Sequence, residues 1–342
     1  MRGLTIFMLI LCGNAWAAEE RPPLAGVQNW LLLLNNDLEA PVAAQIAGSA
    51  HDLVVVDHVS SQPGFSADRS FTIVQQLRAR PGGGRRLVIA YLNVGQAESY
   101  RTYWKKGWRI GKPSWILGAD PDGWQDNYPV AYWSKEWKAM IAGDGGLLSS
   151  IQNAGFDGVY LDWIGGFEDS NVLAKAKREG VDARAEMVAW VGEVSRAAKA
   201  RDPGFLIIAQ NAAPLLSDAS YVEAIDAVAH EDIWFTGADS GPQGDCPVPR
   251  TQGEVGSSAF LASLNGPCRK AYGRDAANAM HFAGEAVIVP MLQGAQAKGK
   301  TVFTVDYAME PQNVSAIVST SRALGFVPFA GARLLKEYVE PN

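Results

Sequence analysis

The chain has 342 residues, 48% hydrophobic and 19% charged, and 36 acidic against 30 basic side chains give a formal net charge of −6. This composition suits a globular protein long enough for one barrel or two small domains. It excludes a basic surface built for nucleic acid, since neither a basic balance nor a basic run is present.

The N-terminus, MRGLTIFMLILCGNAWA, carries one early charge at Arg2, an apolar run to Leu11 and a small-x-small end at Ala15-Trp16-Ala17. That pattern predicts a secretory leader over residues 1–17 and a secreted or periplasmic protein; one domain over 18–342 and a monomer are also expected. The apolar run is shorter than the roughly 20 residues of a membrane span, and no later stretch approaches that length, so no membrane insertion is expected. Past the leader, Cys246 and Cys268 both lie in Gly/Pro-rich sequence. An oxidising compartment then predicts a loop-closing disulfide. His51, His58, His230 and His281 form neither a His-x-His nor a His-Glu-x-x-His pattern, so neither a metal nor another cofactor is expected.

Short apolar, β-branched runs recur at 30–34, 53–57, 87–93, 158–163, 206–211, 227–231, 286–291 and 301–307. They read as strands buried on both faces of a parallel sheet. Helical spacing is clearest at 183–200, where Ala185, Met187, Val188, Val191, Val194 and Ala198 form one stripe. Eight such units predict a single-domain α/β fold, a (β/α)₈ TIM barrel. The alternative, an open doubly wound sheet, would carry a Gly-rich first turn where this chain reads NNDLEAP. The connections after the third and sixth strands are the longest, so they are expected to wall the cleft. The first holds Trp104, Trp108, Trp115, Trp124, Trp133 and Trp137. One or two of these are expected to stack on sugar and the rest to pack.

Polar residues close most of the strands: Asp57 in VVVD, Asn93 in AYLN, Asp162 in VYLD, Asn211 in IIAQN, Glu231 in AVAHE and Asp306 in FTVD. Clustered carboxylates cost desolvation and repulsion, which points to use rather than to structure. Alternation puts Tyr160 with Asp162, and Ala227 and Ala229 with Glu231, while Asp232 and His230 fall off that face. Asp162 and Glu231 are thus the candidate catalytic pair for glycosidic bond cleavage, one as nucleophile or base and the other as proton donor. No Gly-x-Ser-x-Gly elbow, P-loop or dinucleotide motif competes with that reading.

The segments AYLNVGQAESYRTYW, NAGFDGVYLDW, IIAQN, HEDIWF and VFTVDYA, in this order, resemble glycoside hydrolase family 114, the endo-α-1,4-polygalactosaminidase-like proteins. The resemblance implies a TIM barrel acting without a cofactor on polymers of α-1,4-linked galactosamine or N-acetylgalactosamine. It also implies Asp162 and Glu231 as the functional pair, and analogy with retaining α-glycosidase barrels assigns Asp162 as nucleophile and Glu231 as acid/base. Asp57, Tyr91, Asn93, Trp163, Asn211, Asp306 and Tyr307 become the implied substrate-binding residues. The chain departs from the family's pattern in WLLLLNND, in Gly165-Gly166 and in the cysteine-bearing insertion. Two other classes fit less well: a non-catalytic carbohydrate-binding barrel, and a polysaccharide hydrolase or deacetylase of other specificity.

Overall fold

The computed structural model describes residues 21–34, 38, 40–58, 67–237, 245–274 and 283–341. The leader expected over 1–17 lies outside them, as does the Asn-Asn-Asp segment at 35–37.

Eight parallel strands form a single sheet in chain order: β1 Trp30–Leu33, β2 Leu53–Asp57, β3 Leu87–Asn93, β4 Gly158–Asp162, β5 Leu206–Gln210, β6 Ala227–Glu231, β7 Thr301–Asp306 and β8 Val327–Ala330. Helices between them cover the outside, giving a nearly closed barrel. Strands β1 to β3 are buried at every position, as their continuous apolar runs require. Burying each Leu or Val there contributes about 1.5–3 kcal/mol. Inside the barrel, Trp30 packs against Phe303 at 5.0 Å, Phe329 at 5.7 Å and Tyr160 at 6.3 Å between ring centroids. At the opposite end from the cleft, the buried Asp157 takes hydrogen bonds from Arg21 at 3.3 Å, Arg78 at 3.0 Å, Arg85 and the Val88 amide. A buried carboxylate persists there because it is paired so fully.

One strand differs from the reading by periodicity. The run 286–291 is helical: a π-turn over Gly284–Ile288 leads into an α-helix over Val289–Gln296, with Pro290 in its first turn. A short apolar run does not distinguish strand from buried helix, but a proline inside it argues against a central strand. The segment 301–307 therefore supplies the seventh strand, and Val327–Ala330 is the eighth. That strand carries Pro328 and sits at the seam. Among the described residues no ladder joins β8 to β1, and the contact is made instead by Trp30 Nε1 donating to the Val327 carbonyl at 3.1 Å. Pro328 has no N–H to contribute to a ladder.

The helix expected at 183–200 forms over Ala183–Arg201. Its buried stripe holds Met187, Val191, Val194 and Ala198 as expected, together with Trp190. Ala185 is exposed.

Candidate active site

The C-terminal ends of β2 to β7 surround a cavity of about 550 Å³. Register fixes which side chains face it. Tyr91 pairs with Tyr160 and Tyr160 with Ile208, so these residues, and Asp162 two positions on, share the inner face. Val305 pairs with Glu231, so Glu231 faces inward too. His230 pairs with Thr304, whose hydroxyl lies 3.2 Å from Ser321 on the helix Pro311–Ala323, so both point outward.

Each carboxylate of the pair is held by a tyrosine. Tyr91 O–H donates to Asp162 Oδ2 at 2.5 Å, and the Trp163 amide donates to Oδ1 at 2.7 Å. Tyr307 O–H donates to Glu231 Oε1, and Asn211 Nδ2 donates to Oε2 at 2.8 Å. Burial raises the pKa of both tyrosines well above the usual phenol value, and the carboxylate each one serves adds to the shift. They stay protonated donors. Asp162 lines the cavity, and its carboxyl is pushed up to about 7. Burial is the main cause; the Tyr91 hydrogen bond opposes it and the charge of Glu231 reinforces it.

A left-handed residue follows the strand end in three adjacent strands: Trp163 at φ 61° after β4, Asn211 at 58° and Ala212 at 54° after β5, and Asp232 at 57° after β6. Such backbone is uncommon for residues other than Gly, Asn and Asp, and it concentrates at functional sites. Here it turns the chain sharply off each strand. At Trp163 it aims the amide at Asp162, and the indole fits against two glycines. A Cβ on Gly166 would meet the ring at 2.5 Å, and one on Gly95 would meet the Trp163 carbonyl at 2.3 Å. The Gly166 of the unusual Gly165-Gly166 pair is thus the space in which Trp163 sits.

Of the residues expected at the site, Asp57, Tyr91, Asp162, Trp163, Asn211, Glu231 and Tyr307 line the cavity. Asn93 and Asp306 do not. Asn93 is buried, and its Oδ1 accepts the amides of Gly95 and Gln96 at 3.2 and 2.7 Å, shaping the turn after β3. Asp306 shares the outward face of Thr304 and is fully buried. Its Oδ1 accepts the amides of Ile233, Trp234 and Phe235 at 3.1, 2.6 and 3.0 Å, so it braces the segment after Glu231 rather than reaching the cleft.

The long connection after β3 walls the cavity through an antiparallel ribbon, Gln96–Glu98 with Asn127–Pro129. Most of its tryptophans pack on one another: Trp104 with Trp108, Trp108 with Trp115, and Trp115 with Trp137, at 5.1 to 5.6 Å. Trp124 alone among the six lines the cavity. After β6, Cys246 and Cys268 are disulfide-bonded with Cα atoms 5.3 Å apart. Among the described residues, no group of three or more His, Cys, Asp and Glu side chains is arranged to hold a metal.

A model of the glycoside-hydrolase family GH114 matches residues 14–340. The chain belongs to this family. It is a glycoside hydrolase, and its substrate class is polysaccharide. The GH114 chain is 33% identical over 320 residues to an uncharacterized protein of Deinococcus radiodurans, covering 94% of this chain and 85% of that one. The glycoside hydrolase domain of PelA from Pseudomonas aeruginosa matches it with a TM-score of 0.57 at 16% identity, over 91% of this chain and 97% of that domain. Aspergillus fumigatus Ega3, solved in complex with galactosamine, matches with a TM-score of 0.56 at 16% identity, over 96% of this chain and all of that one. These likenesses show the shared barrel. Among the described residues, no helix of this hydrolase is long and apolar enough to cross a membrane.

Several cavity residues escape a reading by strand ends. Arg101 lies in the β3 loop and reaches back to Asp57 at 2.5 Å and to Glu98 at 2.9 Å. Only its i,i+3 spacing from Glu98 is visible locally. Asp120, Asp122 and Arg333 reach the cavity from loops, Glu168 from the end of the 3-10 helix Ile164–Glu168, and Asp169 from the N-cap of the helix Ser170–Glu179. Gln210 does carry a local signal: alternation from Ile208 puts it on the inner face, next to Asn211.

Proposed function

We propose that this hydrolase is an exported, endo-acting enzyme that cleaves α-1,4-linked polymers of galactosamine or N-acetylgalactosamine with retention of configuration. Asp162 acts as nucleophile and Glu231 as acid/base. The observation that carries this reading is the pair itself: two carboxylates on the cavity wall, each oriented by a tyrosine that cannot ionise near neutral pH. Asp162 attacks the anomeric carbon while Glu231 protonates the leaving oxygen, and Glu231 then takes a proton from the water that frees the sugar. The hydrogen bonds from Tyr91 and the Trp163 amide favour the ionised form of Asp162 that attack requires, against the burial that raises its pKa.

The substrate class is supported by charge. Among the described residues lining the cavity are seven carboxylates, Asp57, Asp120, Asp122, Asp162, Glu168, Asp169 and Glu231, against Arg101 and Arg333. Arg101 is already neutralised by Asp57 and Glu98. Such a cleft concentrates a cationic polymer, and an unacetylated galactosamine chain is one. Ega3 was solved with galactosamine bound, which favours the same sugar here. Asp57, Trp163 and Trp124 are assigned to contacts with the chain of sugars. The leader-like N-terminus and the Cys246–Cys268 bond support export.

The test is hydrolysis of a panel of α-linked galactosamine, N-acetylgalactosamine and neutral glycans, with product masses and anomeric configuration read together. Release of α-anomers from the aminosugar polymers, abolished in Asp162→Asn and in Glu231→Gln, is expected. Full activity in either variant would sink the assignment of the pair, and an inverted product would sink retention.

A further inference from the structure

Gln210 ends β5, the strand between the one that carries Asp162 and the one that carries Glu231. It faces inward at the cavity wall, is 94% buried by its 6% exposure, and its Oε1 has no hydrogen-bond partner. Its register partner on β6 is Ala229, which is too small to fill the space beside the amide or to pair with it. The two carboxylates beside it are committed elsewhere, while the Tyr160 hydroxyl on the same inner face is likewise without a partner. Asp162 is held by Tyr91 and the Trp163 amide, and Glu231 by Tyr307 and Asn211. Leaving a buried amide oxygen unpaired is costly, and a fold gains nothing from it that leucine would not supply. The cost makes sense if the partner is a ligand.

We infer that Gln210 binds a hydroxyl of the sugar seated between Asp162 and Glu231 and thereby selects which sugar ring the cleft accepts. A carboxamide offers both an acceptor and donors, the pairing a hydroxyl can return, whereas an ammonium group has no acceptor to offer. The acidic walls attract the charge of the polymer, and the neutral amide reads the ring. The inference deepens the proposed function and rests on it for the kind of ring. Rejection of analogues follows from the same physics: a sugar lacking that hydroxyl leaves the amide unpaired and gains nothing in return.

The experiment compares wild type with Gln210→Leu, which keeps the volume and removes the polar group. Melting temperature is measured together with the affinity, by isothermal titration, for galactosamine, galactose and the single-deoxy derivatives of whichever sugar binds. Wild type is expected to bind one deoxy derivative 10- to 100-fold more weakly than its parent. Gln210→Leu should bind the parent that much more weakly and no longer distinguish the two, with its melting temperature unchanged or raised. If galactose binds and galactosamine does not, the aminosugar reading fails while the test of Gln210 proceeds on galactose. Undiminished discrimination by the leucine variant, a lowered melting temperature with unchanged affinity, or binding of neither sugar overturns the inference.

Discussion

Asn211 and Glu231 exchange two hydrogen bonds: Asn211 Nδ2 donates to Glu231 Oε2 at 2.8 Å, and the Glu231 amide donates to Asn211 Oδ1 at 2.9 Å. The left-handed backbone of Asn211 brings its side chain round to the cleft, and asparagine tolerates that conformation better than most residues. Asn211→Ala should therefore cost both the orientation of Glu231 and some backbone strain. A hydrogen bond of this kind contributes about 0.5–1.5 kcal/mol, so kcat should fall by up to about 10-fold. Steady-state kinetics should show that loss in kcat, with KM changed much less.

Activity should depend on pH through Asp162. Its carboxyl is pushed up to about 7 and, as the proposed nucleophile, has to be ionised to attack, so the ascending limb of kcat/KM against pH should rise through about 7. If Asp162 were instead the proton donor, its ionisation would produce the descending limb. The direction of change across neutral pH, followed in the alkaline limb as well, thus assigns the roles.

The same group affects stability in the opposite sense. The folded pKa of Asp162 is raised above the unfolded value near 3.8, so the folded state holds more protons between about 4 and about 7. Its contribution is fully present below pH 4 and is lost as pH rises through 7. Asp162→Asn removes the charge and should raise the melting temperature at pH 8 relative to wild type, with the difference vanishing toward pH 4. Thermal melts at the two pH values check this.

Gly95 has no room for a side chain: a Cβ there would lie 2.3 Å from the Trp163 carbonyl and 3.0 Å from its ring. Gly95→Ala should displace the left-handed Trp163 and, with it, the amide that holds Asp162. Overpacking of this kind costs about 1–3 kcal/mol. A lowered melting temperature and a fall in kcat of at least tenfold are expected together, whereas loss of stability with unchanged turnover would show that Trp163 does not transmit the strain to Asp162.

The Cys246–Cys268 bond closes a loop with a sequence separation of 22, between the ribbon strand Cys246–Pro247 and the helix Gly266–Arg274. Loop-closure entropy gives such a crosslink about 3 kcal/mol. Cys246→Ser with Cys268→Ser should melt several degrees below wild type under non-reducing conditions and at the same temperature as wild type in excess dithiothreitol.

Much of the site was legible in the residues, because a parallel barrel collects its strand ends on one face. Apolar runs ending in Asp57, Asp162 and Glu231 therefore announced both the barrel and its cleft. Periodicity failed at 286–291, where a short apolar run suits a buried helix equally well, and it passed over Val327–Ala330, a four-residue strand that holds Pro328. Alternation along 301–306 could join Thr304 with Asp306 but could not say which face was inner. Register against β6 decided that, and it turned Asp306 toward the helices. The disulfide was readable from the two cysteines left after the leader.

The sequence by itself determined the barrel, the family and the two carboxylates, since strand periodicity and strand-end chemistry are local properties. Only the tertiary structure decided what surrounds them. Tyr307 reaches Glu231 from just past the end of the next strand, Arg101 returns to Asp57 from a loop, and Gln210 Oε1 is left unpaired between the strands of Asp162 and Glu231. Each depends on the register of neighbouring strands and on the path of a loop between them, which set distances that no spacing along the chain encodes.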